Sequence, residues 1–242
     1  MNWKKDLREK DDAVSPVIAL MLILAILATC MAVYTTTYVP GLKQQDEITH
    51  SGEVKLAFER FASDIDNVIA LGKPAVYTEV LELGGGDVPL SPTKSSGTIE
   101  INTTVIGNYT IGSETKNLNV IEISYLPSFT AWEKQGYLYK NGVVWITKDE
   151  KITPAQLTLY EVKDGEDREK EILAKWYPAS TEIIPNFSVV EGKSEITGTS
   201  AVKLRLNATL GDKMDVVKVT LNGDTEKTYT NARLLNIEVS VE

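Results

Sequence analysis

The chain lacks most of the residue types on which disulfide frameworks and side-chain catalysis depend. Among its 242 residues there is one cysteine, Cys30, and one histidine, His50. A single cysteine excludes an intrachain disulfide framework and any CxxC metal site. One imidazole and one thiol leave almost no room for triads that set a base beside a nucleophile. There is no P-loop, no GxGxxG following a strand and no HExxH. Gly84-Gly85-Gly86-Asp87 has the glycine content of a phosphate cradle, but no lysine-bearing helix follows it. It reads as a turn. An excess of positive charge is missing as well. The formal net charge is -9, whereas phosphate backbones are bound by clustered Lys and Arg, so nucleic acid is excluded as a partner. No cofactor is implied, and the chain is expected not to be an enzyme.

A further absence is local. From Val14 to Leu42 there is no charged residue, although the overall hydrophobic content is an ordinary 43%. As a helix, Val14–Val39 would be about 39 Å long, more than the roughly 30 Å of hydrocarbon in a bilayer. A secretory h-region is usually about 7–15 residues and ends at a small-x-small cleavage site. This run is longer, and no such boundary follows it, so it is expected to span a membrane. Lys4, Lys5, Arg8 and Lys10 precede it, and only Lys43 follows closely. That asymmetry keeps the N-terminus cytoplasmic and sends the remainder outside. Cys30 inside the run reads as a small apolar side chain. The acidic balance of the rest favours solubility and repulsion from anionic lipid, so the head is expected to stand off the membrane.

Asp11 and Asp12 sit immediately before Ala13, and then comes Val14-Ser15-Pro16-Val17-Ile18. Pro16 falls in a first helical turn, where a missing N–H costs little. Acidic residue, Ala, "VSPVIA" and a long aliphatic helix together resemble the class III signal peptide of archaeal type IV pilins and archaellin-like proteins. The resemblance covers about the first 40 residues. It implies that a prepilin peptidase cuts between Ala13 and Val14, with Asp12 as the charged residue before the cut, and that the apolar helix stays on the mature protein. Ile18 would be the fifth mature residue, where bacterial pilins usually carry Glu and the archaeal relatives generally do not. Residues 1–13 hold four basic and four acidic residues, so processing leaves the formal charge at -9.

Beyond Pro40-Gly41, where a kink or short break is expected, Val54, Phe58, Phe61, Ile65 and Val68 recur at 4-3-4-3 spacing. They form one apolar helical face, with Glu53, Lys55, Glu59, Arg60, Asp64 and Asp66 largely elsewhere. After Pro74 the period changes to two. "VYTEVLEL", "GTIEINTTVIGNYTIG", "NVIEISYL" and "KLRLNATL" alternate, with loops at Gly84–Gly86 and "PLSPTKSSG". Asn141-Gly142 suits the two positive-φ positions of a type I′ turn joining Tyr137–Lys140 to Val143–Ile146. "LYEVKDGEDREKEIL" and "VVKVTLNGDTEKTYT" read as further hairpins, and "ARLLNIEVSVE" ends as a strand. Roughly eight to twelve strands are expected, as an antiparallel sandwich or a rolled sheet, with a weak boundary near Glu150–Thr153.

The predicted fold class is therefore α+β. An N-terminal membrane helix continues into an amphipathic helix that packs on a mostly antiparallel, sandwich-like head. The divisions are a leader at 1–13, a membrane and assembly helix at 14–40, an amphipathic helix at 41–72 and an extracellular β-rich head at 73–242. Asp164-Gly165-Glu166-Asp167 and Asn222-Gly223-Asp224 offer oxygen atoms but not the spaced ligands of a calcium loop, and read as solvated turns. Paired carboxylates for glycoside hydrolysis would meet only in the fold, and no sugar-binding aromatic cluster accompanies them. Four Asn-x-Ser/Thr sequons, at Asn102, Asn108, Asn186 and Asn207, are candidate N-glycosylation sites on an exported chain. Strand-forming threonines would produce them equally well.

These features point to a pilin-like surface protein, in minor-pilin or pseudopilin form given a head of about 170 residues. Its expected partners are the lipid bilayer, a prepilin peptidase and copies of itself or other pilins met through the apolar helix. The alternative is a membrane-anchored extracellular binding module that makes no filament. Ala19, Ala25, Ala28, Thr29 and Ala32 favour close helix–helix approach.

Overall fold

The structure, a computed structural model, describes residues 6–85, 88–89, 91, 93–149, 151–155, 165–178, 181–221 and 226–242. Its first feature is helical continuity. Helix α1 (Asp6–Val33) passes through a π-helical turn at Tyr34–Tyr38 into α2 (Val39–Leu71). The break expected at Pro40-Gly41 is absent, and the irregularity lies one turn earlier. Pro40 has no N–H to offer the preceding turn and crowds its carbonyls. The helix widens instead, and the Val39 N–H donates to Tyr34 O, five residues back. Thr35 Oγ1 donates to Met31 O at 3.0 Å and Thr36 Oγ1 to Ala32 O at 2.7 Å, so these two hydroxyls are satisfied within the helix. Helix α2 ends at Gly72, whose φ of 56° is left-handed and whose N–H caps Val68 O.

Ten strands follow among the described residues: β1 (Ala75–Glu82), β2 (Ser96–Ile111), β3 (Glu114–Ser128), β4 (Gln135–Lys140), β5 (Val143–Lys148), β6 (Lys151–Pro154), β7 (Ile183–Val189), β8 (Glu195–Gly198), β9 (Ala201–Leu221) and β10 (Lys227–Val241). They form one sheet in the order β6-β5-β4-β3-β2-β9-β10-β7, with β1 added to β9 and β8 to β2. Every pairing is antiparallel except β10 with β7. The sandwich-like layering is thus one continuous sheet folded over on itself. Strand β2 makes the fold possible by pairing with β8 at Gly97–Glu100 and with β9 at Gly107–Ile111. A register shift between Val105 and Gly107 marks the switch. A Cβ at Gly107 would lie 2.1 Å from Thr220 O, so only glycine admits this approach. Across the fold, the Asn119 N–H of β3 donates to Asn186 Oδ1 of β7 at 3.0 Å.

The Asn141-Gly142 turn is as the sequence indicates, with φ of 49° and 79° between β4 and β5. Across the boundary expected near Glu150–Thr153, among the described residues, β2 and β3 share one sheet and one core with β7 to β10. Glu150 itself lies outside the described residues. The segment read as a hairpin at "LYEVKDGEDREKEIL" is instead helical where it is described, as α3 (Gly165–Trp176). Ile172, Leu173 and Trp176 recur at helical spacing and pack on the core, a period too sparse in apolar residues to read from sequence. The β9–β10 hairpin is present, with its turn at 222–225 outside the described residues.

The predicted stripe on α2 is the spine of the core. Val54, Phe58, Phe61, Ile65 and Val68 are all buried, and α2 lies against β1, β4 and β5. Phe61 meets Tyr139 edge-on, with ring centroids 6.4 Å apart and planes at 85°. Each such side chain contributes about 1.5–3 kcal/mol on burial.

Candidate functional site

Two surfaces set this chain apart: an apolar helix that nothing in the head covers, and the polar joint that fixes it to the head. Among the described residues one helix, residues 16–71, is long and apolar enough to cross a membrane. Its most apolar window has a mean hydropathy of 2.7 and no part of it is buried. Residues 17–33 are exposed on every side, from Val17 to Val33. A helix apolar all round belongs in a protein core or in a bilayer, and no core surrounds this one. A single apolar N-terminal helix of this kind can anchor the chain in a membrane. Cys30 is exposed with its neighbours rather than packed in the head. Asp12, Ala13 and Val14 lie within the unbroken backbone of α1.

The joint begins one residue after the π-helical turn, where Val39 is 4% exposed. Lys43, Glu47, His50 and Ser51 are buried on the same helix face as the apolar stripe. Each bonds to a different part of the head. Lys43 Nζ donates to Thr93 O at 2.5 Å and to Thr93 Oγ1 at 2.8 Å. Glu47 Oε1 accepts from Ser95 Oγ, from the Thr130 N–H at 2.9 Å and from Thr130 Oγ1 at 3.3 Å. Glu47 Oε2 accepts from the Ala131 N–H at 2.9 Å. Ser51 Oγ pairs with Tyr137 Oη at 2.9 Å. His50 Nε2 lies 3.1 Å from Tyr125 Oη, and that hydroxyl donates to Leu83 O at 2.9 Å. The single phenolic proton is spent on the carbonyl, so Nε2 must carry the proton of the His50 contact.

Electrostatics follow this geometry. Burial pushes the Glu47 carboxyl up, but the donors from Ser95, Thr130, Ala131 and Trp132 outweigh it and hold the pKa below its ordinary 4.5. Burial pulls His50 below its ordinary 6.5, against the opposing pull of Glu53, Glu82, Asp46 and Glu47. His50 is therefore neutral here and serves as a packed hydrogen-bond donor, edge-on to Phe129 at 5.9 Å. Gly85 lies over it so closely that a Cβ would sit 2.7 Å from His50 Cβ. Gly85 is thus a close backbone approach to the helix.

None of these four polar residues was singled out from sequence as part of the joint. Their signal was positional: 43, 47 and 50 extend the apolar stripe toward the N-terminus at helical steps of three and four, and 51 adjoins it. Their polar identities disguised it.

The sequons separate. Asn102 and Asn108 are exposed on β2. Asn186 is half-buried with its carbonyl engaged by Asn119, and Asn207 is half-buried in β9 between β1 and β10. Of the calcium candidates, Asp164 and Asn222-Gly223-Asp224 lie outside the described residues, and Gly165–Asp167 open α3. Among the described residues no group of three or more His, Cys, Asp or Glu side chains is placed to hold a metal ion. No protein-family model, curated protein or solved structure matches the chain.

Proposed function

We infer that this is a type IV pilin-like cell-surface protein, of minor-pilin or pseudopilin type. Prepilin peptidase cuts it between Ala13 and Val14. The apolar helix first anchors it in the cell membrane, with the N-terminus cytoplasmic and the β-rich head outside. The same helix then packs against copies of itself or other pilins in a filament, and the head is displayed for adhesion or surface contact. Glycans are carried at Asn102 and Asn108. The observation that carries this reading is one unbroken helix, apolar and exposed through Val33, then locked into the head by Lys43, Glu47 and His50. Such a helix transmits the position of its membrane half to the head without a flexible linker.

The test is the intact mass of the protein from cells with and without the peptidase. A mature chain beginning at Val14 only when the peptidase is present supports the proposal. A chain that keeps Met1 overturns it. Val14-mature protein that is missing from sheared filaments removes the filament-subunit role and favours the pseudopilin form or a membrane-anchored binding module.

A further inference from the structure

The uncharged surface does not stop where the apolar run stops. From Ala13 to Gln45 the only charged residue is Lys43. Lys43 is 3% exposed, with its ammonium turned into the head and bonded to Thr93. The first charged side chain that reaches solvent is therefore Asp46. At 1.5 Å per residue this neutral helix is about 48 Å long, and an ordinary tilt of about 20° projects it to about 45 Å. The hydrocarbon of a bilayer is only about 30 Å thick, whereas hydrocarbon plus both headgroup layers is about 40–45 Å. The match is to the whole bilayer. The stacked pair Tyr34 and Tyr38, with ring centroids 6.2 Å apart, then falls where tyrosines gather, at the membrane–water boundary.

The far end of this neutral length is Leu42 to Gln45, and the head is already present there. Val88 and Pro89 face Leu42, Gln45 and Thr49 across a groove of about 370 Å³, in which Asp46 is the one ionisable side chain among the described residues. The Lys43–Thr93 bonds tie this loop to the helix at that height. We propose that this membrane-proximal rim of the head, formed by Leu42, Gln45, Val88 and Pro89, seats in the phospholipid headgroup layer. The proposal rests on the membrane-anchored reading above. It also refines the expectation that an acidic head stands off the lipid: the body does, while this rim touches down. Lys43 could have snorkelled to the phosphates, as lysines at helix ends do. Here its charge is spent within the head, and Leu42 and Gln45 face outward beside it.

The experiment uses the full chain reconstituted in phosphatidylcholine vesicles, with a fluorophore on one cysteine at a time. Native Cys30 reports the helix. Val88→Cys, Pro89→Cys and the distal Thr220→Cys are made in a Cys30→Ala background. Lipids bearing a nitroxide in the acyl chain or on the headgroup are the quenchers. The acyl-chain nitroxide should quench the label at Cys30. The headgroup nitroxide should quench labels at 88 and 89 severalfold more than the label at 220. Equal, weak quenching at 88, 89 and 220 with Cys30 quenched overturns the rim and leaves the anchor standing. Labels at 88 and 89 that are shielded from soluble quenchers but untouched by lipid nitroxide place a second protein copy there, which also overturns it. An unquenched Cys30 removes the anchor and the rim together.

Discussion

Removing the Glu47 carboxylate tests the joint most directly. In Glu47→Ala, the Thr130 and Ala131 N–H groups and the Ser95 hydroxyl lose their acceptor together. The two amides are fixed in the backbone and cannot turn to another partner. A fully buried donor left unsatisfied costs about 1–3 kcal/mol. Ser95 is buried, but Thr130 is exposed and Ala131 half-buried, so water reaches part of the vacated space and the expected loss is about 2–4 kcal/mol. Glu47→Gln keeps one oxygen for Ser95 and Thr130 but turns an NH2 toward the Ala131 N–H, and should cost about 1.5–3 kcal/mol. Urea titration of the full chain in micelles, followed by tryptophan fluorescence, measures both. Hydrogen exchange localises the loss. The Thr130 and Ala131 amides should exchange faster, while those of the β2–β9 pairing at Gly107–Ile111 keep their protection. A Glu47→Ala variant within about 0.5 kcal/mol of the parent, an ordinary surface-mutation effect, would refute the joint.

Acid should loosen the same joint. Both Glu47 and His50 have folded pKa values below their ordinary 4.5 and 6.5, so each contributes stability above those values that is lost as pH falls through the folded ones. A stability–pH curve should decline below about pH 6.5 and steepen below about 4.5, with His50→Gln flattening the upper part alone. Phe61→Ala, at a position 1% exposed in the core, should cost about 3–5 kcal/mol in the same urea titration. Gly107→Ala forces a Cβ onto Thr220 O and should cost about 2–3 kcal/mol, with exchange rising along β2–β9 first. In glycopeptide mass spectra of the native protein, glycan mass should appear on peptides carrying Asn102 and Asn108, and Asn186 should be unmodified.

Much of the fold was legible because local patterns coincide with tertiary burial. The stripe at Val54 to Val68 was readable because 4-3 spacing of large apolar residues has one physical meaning, a buried helix face. Asn141-Gly142 was readable because few other dipeptides tolerate two positive φ values. The segment from Gly165 to Trp176 was misread because a charge-rich surface helix carries few apolar residues to reveal its period. At Pro40 the rule that proline breaks a helix lost to a local remedy, a π-helical turn one step upstream.

Composition and local pattern alone determine that a long uncharged helix precedes an acidic, strand-rich body, because length, charge and periodicity are properties of neighbouring residues. Tertiary structure decided which polar side chains join the two. Lys43 finds Thr93 across 50 residues, and Glu47 finds Ala131 across 84. Nothing within one helical turn of Lys43 or Glu47 distinguishes an inward charge from a solvated one. The partners that make burial of those charges possible come from the segments just before β2 and just after β3, which the Ser96–Ser128 pairing brings side by side.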